Sequence, residues 1–117
     1  MNFLNQSHKN RFNTIISKDG TDLNDLNRKS LFYIISGNDE LFNNRYYIYD
    51  LDKRWIAPDN LEQVNFIETS LALIELAYNL YNNFSSGSIS NIFKGLDKDN
   101  FKLAIKGLKI RFNMDLE

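Results

Sequence analysis

The segment LFYIISGND, residues 31–39, decides between two folds for this chain. Its first residues are uncharged and end at Gly37, which suits either a buried strand entering a phosphate-binding loop or a helix that stops at the glycine. Apolar residues at helical spacing run from Leu23 into this segment, and one glycine supplies too few inward-pointing N–H groups for a phosphate loop. We therefore predict a helix over 23–36 and keep a buried strand at 31–36 as the alternative.

Capping residues before apolar segments, and glycines after them, predict further helices on both sides of this one. They cover roughly 8–18, 39–49, 59–84 and 99–113, with a loop, SSGS, at 85–88 and a short helix that ends at Leu96. Within the irregular segment 45–57, we expect the helix to end near Asp50 and an irregular or short extended part to carry Trp55 and Ile56 to Pro58. The expected caps are Ser7, Asp22 or Thr21, Asn38, Ser88 or Ser90, and Asp97 or Asp99.

The segment 59–84 is apolar on most of the circumference of its expected helix. Pro58 stands at its first turn, where the missing N–H group does no harm. A helix that is apolar on two faces normally has neighbours on both sides. We therefore predict an all-α, compact single-domain helical bundle of residues 1–117, with about five to six helices around a long central helix near 59–84.

Composition excludes several classes of protein. The formal net charge of −1 argues against general neutralisation of nucleic-acid phosphates, and the absence of cysteine excludes disulfides, thiolate nucleophiles and sulfur-ligated metals. Apolar runs are far too short to span a membrane, and the N-terminus lacks the pattern of a signal peptide. We expect a cytoplasmic protein with no membrane partner.

Candidate catalytic and metal-binding residues are few. His8 is the only histidine, and we expect it to be an exposed residue of a first helical turn. The pairs DLD at 50–52 and DKD at 97–99 lack the other ligands of a calcium loop. Glu68 and Glu75 share a helix face about 10 Å apart along its axis, which is long for a shared metal. We expect no catalytic residue, no cofactor and no metal site.

Basic residues concentrate near the C-terminus, whereas 59–84 carries four acidic residues and no Lys or Arg. Lysines at three- and four-residue spacing fall on one face of the last predicted helix. This face is either simply solvated or an anion-facing surface for nucleic acid or an acidic protein. We call the set the basic strip: Lys94, Lys98, Lys102, Lys106, Lys109 and Arg111.

Aromatic and arginine residues concentrate in the irregular segment. Tyr, Trp and Arg are over-represented among the residues that dominate protein–protein binding energy. Filling of the core is the competing interpretation. The candidates for contact with a partner are Arg45, Tyr46, Tyr47, Tyr49, Arg54 and Trp55.

The chain resembles a small uncharacterised protein family of low-GC Gram-positive bacteria, their phages and integrated elements. The resemblance rests on FLNQSHKNRF (3–12), LFYIISGND (31–39), IYD (48–50), LAYNLYNN (76–83) and FKGLDKDNFKLAIKGLKIRF (93–112). The chain departs from the family pattern at Tyr78, where Phe is more frequent, and at Asn83, where Gly is more frequent. The resemblance implies a small accessory protein of a mobile element and implies no chemistry.

From these patterns we expect a non-enzymatic binding protein, monomeric or homodimeric. Its expected partner is a protein. The mobile-element context that the resemblance implies gives the sharpest form of this expectation, inhibition of a nucleic-acid-targeting host defence complex, as anti-CRISPR proteins do. A nucleic-acid-binding or regulatory protein that uses the basic strip is one alternative. A self-associating structural or assembly protein is the other.

Overall fold

The computed structural model describes residues 1–84 and 87–115, which form a mostly helical single domain, as predicted. The predicted loop SSGS lies partly outside these residues. The described residues form seven α-helices, one 3-10 helix and a two-stranded hairpin. These are α1 (Gln6–Asp19), α2 (Leu26–Ser36), α3 (Asp39–Asn43), α4 (Arg45–Ile48), β1 (Tyr49–Asp50), β2 (Trp55–Ile56), the 3-10 helix Pro58–Gln63, α5 (Glu68–Asn82), α6 (Ile89–Lys94) and α7 (Lys98–Arg111).

The helix at the centre of the bundle is α2, and not the segment 59–84. Residues 30–36 of α2 are all buried, and α1, α5 and α7 pack around them. This segment carries no charge, so it can be enclosed on every side. The prediction of a helix over 31–36 is therefore confirmed, and the strand alternative is wrong.

The N-terminal part of the predicted helix 59–84 has a different structure. Pro58 opens a 3-10 helix, and the chain then runs extended from Val64 before α5 begins at Glu68. In the extended part, Val64 and Phe66 turn towards the core while Asn65 and Ile67 are exposed. An extended segment buries alternate residues, and a helix could not bury this pair in the same way.

Side-chain caps set most of the helix boundaries. Asn38, Ser88 and Asp97 cap α3, α6 and α7, as predicted. At the other two helices the cap differs: Asn5 caps α1 instead of Ser7, and Asp25 caps α2 instead of Asp22 or Thr21. The predicted helix 39–49 is divided at Asn44 into α3 and α4.

The irregular segment contains a short antiparallel hairpin. Tyr49 pairs with Ile56 and Asp50 pairs with Trp55, which confirms the short extended segment around Trp55. Asp50 shapes the turn, because its side chain accepts hydrogen bonds from the backbone N–H groups of Asp52 and Lys53 at 2.9 and 3.0 Å. Arg54 then adopts a left-handed conformation with φ 55°. Among the described residues, no helix is long and apolar enough to cross a membrane.

Candidate partner-binding surface

Cationic and aromatic side chains alternate in a layered arrangement on the surface formed by α1, α3 and α4. Two of the cations come from α1, where a spacing of seven residues places them on one face. The other members follow each other at helical spacing in the α3–α4 segment. We call this set the cation–aromatic stack; its members are Arg11, Phe42, Arg45, Tyr46 and Lys18.

The phenyl ring of Phe42 lies between two guanidinium groups. The Cζ atom of Arg11 is 4.8 Å from the ring centroid, and that of Arg45 is 4.0 Å from it. Arg45 also lies over the ring of Tyr46, with its Cζ atom 4.6 Å from the centroid. Each cation–π contact at a surface site is worth about 0.5–1 kcal/mol, so several together hold the side chains in place.

Hydrogen bonds fix the same side chains. One Nη atom of Arg45 donates to the carbonyl oxygen of Phe42 at 2.8 Å, and the other lies 3.3 Å from the hydroxyl oxygen of Tyr46. Lys18 Nζ approaches that hydroxyl at 3.5 Å. The positive charge of Arg45, together with Lys18, lowers the pKa of Tyr46. Tyr46 is 50% exposed, so a rigidly held aromatic ring faces solvent between cations.

The net charge of this surface is positive. Arg11 forms an ion pair with Asp39, whose side chain is 85% exposed. Lys18 and Arg45 form no ion pair with a carboxylate among residues 1–84 and 87–115. The stack therefore presents two uncompensated cations next to an exposed tyrosine.

A second polar cluster, centred on a buried carboxylate, lies beside the stack. The Asp19 carboxylate, with a side chain 0% exposed, binds Nε and Nη2 of Arg54 at 3.2 and 3.1 Å. It also accepts hydrogen bonds from Thr21 and, at 2.8 Å, from the hydroxyl group of Tyr49. That hydroxyl in turn accepts from Nε of Arg28 at 3.0 Å. We call these five residues the Asp19 cluster.

The pKa shifts in the Asp19 cluster follow from these contacts. Burial alone would raise the pKa of Asp19, but the hydrogen bonds from Arg54, Thr21 and Tyr49 outweigh it and lower the pKa. Burial, reinforced by the Asp19 charge, raises the pKa of Tyr49 to about 12. Asp19 is thus ionised and Tyr49 neutral across the physiological pH range, so the cluster fastens the hairpin to the end of α1.

The structure divides the candidates for partner contact in the irregular segment into buried or engaged residues and exposed ones. Tyr49 is buried, and Arg54 is engaged with Asp19, so both have structural roles. Tyr46, Tyr47 and Trp55 are exposed by 50%, 40% and 51%. Trp55 packs edge-on against Tyr81, with ring centroids 5.4 Å apart, on the hairpin side of the molecule.

The basic strip occupies one side of α7, with Lys94 at the end of α6. Lys98 and Lys102 are exposed, whereas Lys106 and Lys109 are half-buried beside α2. Arg111 donates from Nε to the carbonyl oxygen of Leu80 at 2.7 Å and so satisfies the C-terminal end of α5. The strip therefore has an exposed half and a recessed half, and Arg111 is a structural residue.

Comparison with known proteins gives a family and no function. A model of a family of unknown function, DUF6075, matches residues 1–117. The chain belongs to DUF6075. Comparison with curated proteins and with solved structures finds no match. The resemblance to an uncharacterised family seen in the sequence is thereby confirmed.

The single histidine of this DUF6075 member is buried, and the expectation of an exposed residue is wrong. His8 is 2% exposed, and its Nε2 atom lies 2.9 Å from the carbonyl oxygen of Tyr33. The ring is enclosed by Phe3 and Tyr33, whose ring centroids lie 5.1 and 4.4 Å away. Aromatic burial of this kind depends on contacts from a distant helix, which no local pattern reveals.

The acidic pairs have local structural roles. Asp50 forms the hairpin turn, and Asp97 caps α7 by accepting from the N–H group of Asn100 at 2.9 Å. In the part of the chain that the structure describes, no group of three His, Asp or Glu residues could hold a metal ion.

Sequence reasoning missed three members of the stack, namely Arg11, Lys18 and Phe42. A partial signal was present: Phe42, Arg45 and Tyr46 are spaced to meet on one helical face. Their alignment with Arg11 and Lys18 depends on how α1 packs, and the sequence alone does not show it.

Proposed function

We propose that this protein acts by binding and not by catalysis, and that its partner is a protein with an acidic surface. The cation–aromatic stack is the contact site. The observation that carries the proposal is the position of Arg45 between the rings of Phe42 and Tyr46, at 4.0 and 4.6 Å from their centroids.

A stack that is already ordered supports binding in two ways. Its side chains lose little conformational entropy when a partner docks, because stacking and hydrogen bonds hold them already. Arg and Tyr are also among the residues that most often dominate the energy of protein interfaces. A carboxylate of the partner would meet Lys18 and Arg45 beside the exposed ring of Tyr46.

The identity of the partner is proposed from the resemblance noted in the sequence. The resemblance implies an origin in phages or integrated elements, which must counter host defence, so we propose that the protein inhibits a host nucleic-acid-targeting complex, in the manner of anti-CRISPR proteins. In this proposal the positively charged stack docks on an acidic surface of that complex. In this proposal the protein acts in the cytoplasm.

The test is an interference assay in a bacterial host with an active CRISPR-type complex. Cells expressing the protein are transformed with a targeted plasmid, and recovery of transformants measures inhibition. The wild-type protein should restore transformation, and the Arg45→Ala/Tyr46→Ala double variant should lose most of this effect. Binding of the purified complex, measured by surface plasmon resonance, should show the same difference.

The matched control is Lys98→Ala/Lys102→Ala, which removes two exposed cations from α7 and leaves the stack intact. This variant should inhibit as the wild type does, and thermal unfolding should show that both variants are folded. If the Lys98/Lys102 variant loses as much inhibition as the Arg45/Tyr46 variant, the result favours the basic strip as the contact site and nucleic acid as the target. Concentration-dependent dimerisation that requires Trp55 would favour the assembly alternative instead.

A further inference from the structure

The recessed half of the basic strip forms one wall of a groove between α7 and α2. The groove has a volume of about 480 Å³, within the range of small-ligand sites. Residues of both chain ends complete the walls.

Positive charge converges on this groove from two helices. Lys29 comes from α2, and Lys106 and Lys109 come from α7, whereas Asp115 is the acidic residue of the described lining. Lys29 Nζ lies 3.2 Å from the carbonyl oxygen of Leu23, which is a neutral group, and Lys29 forms no ion pair within residues 1–84 and 87–115. Lys106 is half-buried and forms no ion pair or hydrogen bond within residues 1–84 and 87–115.

Two lysines from different helices that line one groove, and that form no ion pair within the described residues, point to an anionic ligand. Lys29 and Lys106 carry like charges, and their repulsion is relieved when an anion lies between them. A phosphate group is suited to this arrangement, because its oxygens can each accept from a different ammonium. Asn2 and Asn113 are further polar residues of the lining.

The other part of the lining is apolar. Leu26 of α2, Ile110 of α7 and Met114 contribute apolar side chains to the lining. Such a wall suits a flat, weakly polar group attached to the phosphate, as in a nucleoside. We propose that this groove binds a nucleoside phosphate, either as a free nucleotide or as part of a single strand.

The probes are adenosine triphosphate, adenosine and an oligothymidylate, and binding to the full-length protein is measured by calorimetry and by chemical-shift changes. Either phosphate-bearing probe should bind at micromolar to millimolar concentration, and adenosine should bind far more weakly. Lys106→Gln and Lys29→Gln should each weaken binding about tenfold, as expected for loss of a hydrogen bond to a charged group. Lys98→Gln/Lys102→Gln, on the exposed half of the strip, should change it little.

The two sources of the ligand are separated by comparison of the probes. Tighter binding of the triphosphate indicates a free nucleotide. Tighter binding of the oligothymidylate, with a steep decrease as salt increases, indicates a strand. The proposal is overturned if neither phosphate probe binds, if polyglutamate binds as tightly and depends on the same lysines, or if the Lys98/Lys102 control loses as much affinity as Lys106→Gln.

Discussion

Both ring nitrogens of His8 are hydrogen-bonded in a way that requires a neutral imidazole. The Nδ1 atom accepts from the backbone N–H group of Leu4 at 3.1 Å, so Nε2 carries the proton and donates to the carbonyl oxygen of Tyr33 at 2.9 Å. A second proton would have to bind to Nδ1, which would then point a donor at the Leu4 N–H group and lose this hydrogen bond. Burial, and to a smaller extent the charges of Lys106 and Arg11, lower the pKa of His8.

The stability of the protein should therefore decrease when the pH falls below 6.5, the ordinary pKa of histidine. In that range His8 is protonated in the unfolded chain but stays neutral in the folded chain. Each pH unit therefore lowers the free energy of unfolding by at most about 1.4 kcal/mol. The decrease in stability ends once the pH has fallen below the pKa of His8 in the folded state. Urea unfolding between pH 7 and pH 5 measures the effect.

The control for this prediction is His8→Gln, which cannot ionise. It should be less stable than the wild type at pH 7 but should lose the slope between pH 7 and 5. Because the chain has a single histidine, its NMR titration reports His8 without ambiguity. A folded-state pKa at or above 6.5 would contradict the prediction.

Tyr49→Phe should destabilise the protein by about 1–3 kcal/mol. The hydroxyl group of Tyr49 donates to Asp19 at 2.8 Å and accepts from Arg28 at 3.0 Å, and its loss leaves both charged partners short of a hydrogen bond. Denaturant unfolding gives the difference. Tyr47→Phe is the matched control, since the Tyr47 hydroxyl makes no hydrogen bond within the described ranges 1–84 and 87–115; its effect should stay within about 0.5 kcal/mol.

The contact between α2 and α7 predicts that Gly107→Ala lowers stability. A Cβ atom at Gly107 would lie 2.8 Å from both Cγ1 and Cδ1 of the fully buried Ile34. Overpacking costs about 1–3 kcal/mol, and at a separation this short we expect the cost to exceed the gain of about 1 kcal/mol in helix propensity. Thermal and denaturant unfolding measure the net change.

A double-mutant cycle separates the cost of overpacking at Gly107 from the gain in helix propensity. In an Ile34→Ala background the neighbouring atoms are gone, so Gly107→Ala should become stabilising. Gly95→Ala is the control in the wild-type background, because its Cβ would meet only the carbonyl oxygen of Ile92, at 3.9 Å. The explanation is wrong if Gly107→Ala has the same effect whether or not Ile34 is present.

The helix over 31–36 and three of the five expected caps could be predicted from the sequence because their determinants are local, whereas the central position of α2 could not. Asn38, Ser88 and Asp97 cap the helices that follow them, as their positions before apolar segments indicate. The start of α5 could not be predicted in this way. Val64, Ile67 and Leu71 have helical spacing, yet Val64 and Phe66 are both directed inwards from an extended chain. Two periodicities overlap there, and tertiary packing decides between them.

Only part of the cation–aromatic stack could be predicted from the sequence, for a related reason. The spacing of Phe42, Arg45 and Tyr46 is a local signal, but the arginine and lysine that complete the stack come from α1. Contacts between residues about 30 positions apart depend on the packing of helices, as the Lys18–Tyr46 contact does. His8 was misjudged for the same reason, because Tyr33 encloses it from α2.

The electrostatics of the stack can be tested without a partner, through the titration of Tyr46. The Arg45 charge is the largest cause of its lowered pKa, and the hydrogen bond with Lys18 is the next. Arg45→Gln should therefore raise the pKa of Tyr46 towards 10, the ordinary value for tyrosine, and Lys18→Gln should raise it less. NMR of ring-labelled tyrosine follows the titration. Lys98→Gln, on α7, should leave the pKa unchanged; an equal shift in all three variants would mean that Tyr46 senses the overall charge of the protein and not the neighbouring cations of the stack.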